Sequence, residues 1–121
     1  MGNSSMRKDC NLTRPEDFAA LRNHGRSWSD RLIVMVIRPN FLDNNRIGLS
    51  VSKKIGKAVV RNRIRRKLRE AMRQINLPGG WDILLIARKE SPMADFQTLK
   101  SSVNTLCSRA RLVTTSPPRI E

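Results

Sequence analysis

Residues 46–87 read RIGLSVSKKIGKAVVRNRIRRKLREAMRQINLPGGWDILLIA, and the spacing of the apolar positions changes twice along them. In residues 46–52, Ile47, Leu49 and Val51 alternate with Gly48, Ser50 and Ser52, the two-residue repeat of a strand with one apolar face. From residue 58 to 75 the repeat becomes helical. Val60, Ile64, Leu68, Ala71, Met72 and Ile75 fall within about 120° on a wheel of about 100° per residue, which is a single buried stripe. Leu77, Pro78, Gly79 and Gly80 break the helix, and residues 81–87 carry Ile83, Leu84, Leu85 and Ile86 in one run, the pattern of a strand buried on both faces. A helix joining two strands favours parallel pairing of 46–52 with 81–87.

Working outward, the first ordered element is expected to open at Thr13. Thr13 and Glu16 have the spacing of a capping box, Pro15 lies in the first turn, and Gly25 supplies a left-handed residue to stop the helix. Phe18 and Leu21 give that helix a narrow apolar stripe. Residues 26–30 form a short edge strand and 31–38 a second strand, ended by Pro39. Ser91 and Pro92 turn the chain into a last helix capped by Asp95, with Leu99, Val103, Leu106, Cys107 and Ala110 as its core stripe. The order αβββαβα makes an α+β sandwich of helices on a mixed four-stranded sheet.

A length of 121 residues suits one domain with a modest core. The expected organisation is a basic flexible leader over 1–12, a folded domain over 13–112 and a disordered tail over 113–121. A hydrophobic content of 39% is too high for a disordered basic chain. No apolar run approaches the roughly 20 residues that span a bilayer, and the first thirteen residues lack the apolar centre of a secretory signal, so a cytoplasmic protein without a membrane partner is expected.

Charge carries the functional reading. Residues 46–73 hold eleven Lys or Arg side chains against one carboxylate, Glu70, within a chain of formal net charge +14. Runs of mixed charge on helices are ordinarily solvated faces, but here no row of acidic partners relieves the repulsion, and a polyanion is the natural counterpart. Only five aromatic residues occur and none lies in the basic stretch, so a base-stacking platform is not expected and recognition rests on phosphates and shape. Arginine outnumbers lysine in the helix, which favours structured RNA while leaving DNA open. Arg61 falls at the edge of the apolar arc and is expected to point along the seam between helix and sheet. The face of Gly48, Ser50 and Ser52 is either a close-approach surface for a nucleic-acid backbone or an ordinary solvated sheet face.

Other chemistries find little support. Cys10 and Cys107 have no paired-ligand spacing, Cys107 reads as core packing, and His24 is the single histidine. The ten carboxylates are scattered, which disfavours an autonomous two-metal nuclease.

The run from Arg46 through Gly48-Leu49-Ser50-Val51-Ser52-Lys53-Lys54 to Arg61-Asn62-Arg63 and Arg66 resembles the signature of the bacterial ribonuclease P protein subunit. Glu16-Asp17-Phe18 with His24-Gly25 resembles that family's first helix, and residues 82–88 its last strand, so about residues 12–112 are covered. The resemblance implies a basic subunit that assists a catalytic RNA in removing the five-prime leader of precursor tRNA. Chemistry would lie in the RNA and its magnesium ions, with no catalytic residue in this chain; the sequence itself shows no metal-ligand set and no obligate protein partner. It implies that Lys53, Lys54, Lys57, Arg61, Asn62, Arg63, Arg65, Arg66, Lys67, Arg69 and Arg73 dock on the RNA subunit. It further implies that Phe18, Arg22, Val36, Ser50 and Ser52 line a cleft for the single-stranded leader, and that the crossover between the parallel strands is left-handed. Phe18 also reads as core packing beneath the first helix. Arg22 and Val36 stand where relatives often carry aromatics, which shifts expected leader contact from stacking toward charge. The alternative of another class is a generic structured-RNA-binding or ribosomal-type module.

Overall fold

The computed structural model describes residues 10–12 and 14–112. In chain order the elements are β1 (Cys10–Asn11), α1 (Pro15–His24), β2 (Arg26–Ser29), β3 (Ile33–Pro39), β4 (Arg46–Ser50), α2 (Ala58–Gln74), β5 (Trp81–Ala87) and α3 (Phe96–Arg109). Short 3-10 turns at Lys53–Ile55 and Ser91–Met93 precede α2 and α3. The expected αβββαβα order holds, with one strand added in front of it.

The sheet order is β1-β4-β5-β3-β2. β4 pairs with β5 in parallel, as the helical crossover requires, while β5 with β3 and β3 with β2 are antiparallel. β1 lies parallel to β4, and the backbone N–H of Leu12 donates to Ile47 O at 2.8 Å. Cys10 and Asn11 thus form a strand inside the segment read as a leader, because Leu12 is buried in the core and draws its neighbours onto the sheet edge. The tail over 113–121 and the Thr13 cap lie outside the described residues. α1 begins after Arg14, which makes no side-chain capping bond.

The sheet separates two cores. On one face Ile64, Leu68 and Met72 of α2 and Leu99, Val103, Leu106 and Cys107 of α3 pack over Ile33, Met35, Ile37, Ile47, Ile83 and Leu85. Burial pushes the Cys107 thiol up to about 12, so it stays protonated and packs as a small apolar group against Met35. On the other face α1 covers Val36 and Leu84 with Leu21 and the half-buried Phe18.

Two glycines have reasons that differ from the sequence expectation or go beyond it. Gly25 is extended (φ −83°) instead of left-handed; what it supplies is room, since a Cβ there would lie 2.4 Å from Leu21 O and 2.6 Å from Val36 Cγ1. Gly48 lets the Phe18 ring rest on the sheet, and a Cβ would meet Phe18 Cε1 at 2.9 Å and Leu12 Cβ at 3.2 Å. Gly48→Ala should force α1 outward and cost about 1–3 kcal/mol as an overpacked core site. Chemical denaturation measures this; an unchanged midpoint would show that α1 docks loosely.

α3 is tied down by Asp30, in the turn between β2 and β3. Asp30 Oδ1 accepts from Leu32 N (2.9 Å) and Ile33 N (3.0 Å), and Oδ2 accepts from the Ser102 hydroxyl. The first pair holds the turn and delays the start of β3 to Ile33. Partial burial raises the pKa of Asp30, but the Ser102 and backbone hydrogen bonds and the nearby Arg109 outweigh it and leave the pKa lowered. A carboxylate depressed in the fold stabilises above its unfolded pKa of about 3.9, and that stability is lost as pH falls through the folded value. Asp30→Asn should therefore narrow the stability gap between about pH 6 and pH 3 relative to the parent. An identical pH profile in melting experiments would remove Asp30 from the acid sensitivity of the fold.

Candidate nucleic-acid interface

The stripe of α2 fixes which of its cations face outward. With Ile64, Leu68, Ala71 and Met72 buried, Asn62, Arg63, Arg66, Arg69 and Arg73 are exposed on the opposite side, and Lys53, Lys54 and Lys57 are exposed on the turn that leads in. No acidic residue occupies the first turn of α2.

Not every cation in the stretch is free. Arg46 belongs to the fold: its Nε and Nη2 donate to Asp82 Oδ1 (2.8 Å) and Oδ2 (2.7 Å), and Nη1 lies 3.6 Å from Asp17 Oδ2. Asn40 Nδ2 also donates to Asp82 Oδ1, at 2.9 Å. Arg73 donates to both oxygens of Glu70, and hydrogen bonds from Arg73 and Gln74 hold the Glu70 carboxyl below the usual range. Lys67 Nζ donates to Ala94 O at 3.3 Å, pinning α2 to the turn before α3. Arg61 Nε donates to Gly56 O at 3.1 Å, which places it in the seam as its wheel position predicts. Arg65 Nη1 donates to Asn62 Oδ1 at 3.0 Å along the helix surface. Among the described residues, Lys53, Lys54, Lys57, Arg63, Arg66 and Arg69 have no side-chain hydrogen bond or ion pair, and these six form the core of the cationic face.

The second surface lies on the α1 side of the sheet. Register places Gly48, Leu84 and Val36 in one row under α1, and Ser50, Ile86 and Val34 in the next. The first row is buried, with Val36 only 7% exposed, whereas Ser50, Ile86 and Val34 are each half-exposed. The Phe18 ring rests on Gly48, in the covered row next to the open one, and Arg22 is exposed on α1. Val36 is thus covered by α1, and Val34 and Ile86 take the exposed positions that sequence patterning had not singled out. Their signal was confined to alternation within buried-looking runs. The Ser52 hydroxyl accepts from Lys54 N at 3.2 Å and caps the turn, so its first task is structural.

Continuing the parallel register past Ser50 and Ile86 brings residues 52 and 88 level, so Arg88, Lys89 and Arg31 stand at the same end of the sheet as Lys53 and Lys54. Arg88 Nη1 donates to Asp30 O; Lys89 and Arg31 are exposed. The lysines that lead into α2 and the cations Arg31, Arg88 and Lys89 therefore share the end of the sheet at which the open row lies.

Among the described residues no three His, Cys, Asp or Glu side chains come together in a metal-binding group, and His24 is exposed at the end of α1 with no partner for nucleophilic or acid–base work. No helix among them is long and apolar enough to cross a membrane. A one-sided cationic helix carried on a mixed sheet with a half-open face defines an α+β nucleic-acid-binding module.

The comparisons identify which one. The Ribonuclease P family model matches residues 6–111. The ribonuclease P protein component of Caldanaerobacter subterraneus is 44% identical over 103 residues, covering 84% of this chain and 89% of the relative. The solved RNase P protein of Staphylococcus aureus superposes with a TM-score of 0.79 at 29% identity, covering 88% of this chain and 100% of the other. That of Thermotoga maritima gives 0.75 at 33% identity, covering 85% and 97%. This chain belongs to the ribonuclease P protein family, the protein component of a ribonucleoprotein endoribonuclease.

Proposed function

We propose that this protein binds the ribonuclease P RNA through the outward face of α2 and the lysines before it, and holds the single-stranded leader of precursor tRNA along the open row of Ser50, Ile86 and Val34. The observation that carries this reading is the set of six unpartnered cations, three on the outward side of α2 and three on the turn leading into it, in a chain that belongs to the family. Arginine forks and lysine ammonium groups placed on a rigid helix can meet successive phosphates of a folded RNA without reorganising. Phe18 and the half-exposed aliphatic side chains offer a narrow apolar floor, and Arg22, Lys89 and Arg31 supply charge at its edges. With few aromatics there, leader contact rests mainly on phosphates.

Cleavage of the leader is assigned to the RNA and its magnesium ions, which would supply the activated water and leaving-group stabilisation. The protein's part is to position RNA and leader.

Reconstitution tests the reading. Precursor tRNA cleavage is measured with the RNA alone and with the protein added, at near-physiological magnesium, on leader-bearing and leaderless substrates. The protein should tighten binding and speed cleavage of the leader-bearing substrate while leaving leaderless binding nearly unchanged. Equal effects on both would remove the leader role; RNA binding without any effect on cleavage would favour a generic RNA-binding module.

A further inference from the structure

We infer that Arg61 is a positioning residue: its guanidinium clasps the carbonyl of Gly56 and so holds the turn that presents Lys53 and Lys54, in place of contacting RNA itself. The inference rests on the reading that these lysines bind RNA phosphate.

Three observations converge on it. Arg61 lies on the seam side of α2, half-exposed, whereas Asn62, Arg63, Arg66 and Arg69 are exposed on the far side. Its Nε donates to Gly56 O at 3.1 Å, a bond that fixes the guanidinium plane against the preceding turn. Gly56 is seated on the first turn of α2, where a Cβ would come within 3.2 Å of Val60 Cγ1, so Arg61 and Val60 hold the same residue from two sides. The turn itself is lightly built. Ile55 N donates to Ser52 O at 3.0 Å, Gly56 N to Lys53 O at 3.3 Å, and Ser52 Oγ accepts from Lys54 N at 3.2 Å. Both of its lysines are exposed and their ammonium groups make no contact within the described residues. Like charges on so short a turn repel, and without the clasp the turn keeps the packing of Ile55 and Val60 but loses its side-chain hydrogen bond to α2. A lysine at position 61 keeps the charge but puts a methylene where Nε donates and carries its ammonium one bond further out.

The test has two arms. In the free protein, hydrogen exchange at Lys54, Ile55 and Gly56 should quicken about tenfold in both Arg61→Lys and Arg61→Ala, while exchange in the middle of α2 stays as in the parent. Unchanged exchange at the turn overturns the inference whatever the RNA does. In binding to a ribonuclease P RNA transcript, Arg61→Lys should lose about tenfold in affinity, close to the loss in Arg61→Ala. Adding Lys53→Ala and Lys54→Ala to Arg61→Lys should then cost less than about twofold more, although the same pair costs about tenfold in the parent. Rescue by lysine, or full additivity with the Lys53 and Lys54 changes, would make Arg61 a direct phosphate contact and overturn the inference. If the parent binds RNA without salt dependence, the functional reading fails, and the exchange arm still decides the clasp.

Discussion

Raising salt from about 50 to about 200 mM lowers the affinity of this protein for the ribonuclease P RNA on the order of a thousandfold, if its cationic face neutralises about six phosphates. The number six is the count of exposed cations without partners in residues 46–73, namely Lys53, Lys54, Lys57, Arg63, Arg66 and Arg69. Each phosphate neutralised releases condensed counterions, so the logarithm of affinity falls linearly with the logarithm of salt. Alanine at Arg63 or Arg66 should each cost about 1–3 kcal/mol of binding and reduce the salt slope by about one, without loss of fold, since both guanidinium groups point away from the core. Alanine at Arg73 should cost less, because Glu70 already holds its guanidinium. A flat salt response, or equal losses at Arg63 and Arg73, would show that the free cations of α2 are not the contact surface.

Asp82→Ala should lower stability by about 3 kcal/mol and the melting temperature by on the order of 15 °C. Asp82 is buried and receives two short hydrogen bonds from Arg46 and a third from Asn40. Removing it leaves the partly buried Arg46 without its closest counter-ion, at the point where β4, β5, the β3–β4 loop and the N-terminus of α1 meet. In a chain of net charge +14 the loss of one buried carboxylate also adds to general repulsion. Glu70→Ala, which breaks an exposed pair, should move the melting temperature little. Equal melting of the Asp82 variant and the parent would mean that Arg46 finds other partners at no cost.

The α2 stripe, the two-faced burial of β5, the parallel pairing of β4 with β5 and the Asp95 cap of α3 were all legible, because each is written in residues a few positions apart. β1 was not. A strand of two residues has no period, and what orders it is Leu12 finding a hydrophobic neighbour on α1 and the sheet. Gly25 ends α1 as its position in the sequence suggests, but through the room it leaves and not through a left-handed backbone, since the space beside Val36 exists only after α1 lies on β3.

The cationic interface divides in the same way. That one side of α2 is basic follows from the primary structure alone, because backbone geometry repeats every 3.6 residues and sorts side chains without reference to the rest of the molecule. Which cations of residues 46–73 remain available was decided by folding: Asp82 lies 36 positions from Arg46, and Ala94 lies 27 from Lys67. The open row of Ser50, Ile86 and Val34 likewise depends on how far α1 extends over the sheet. Periodicity is a local property of the chain, whereas charge neutralisation and exposure depend on side chains delivered from distant segments, and only the packed structure brings those together.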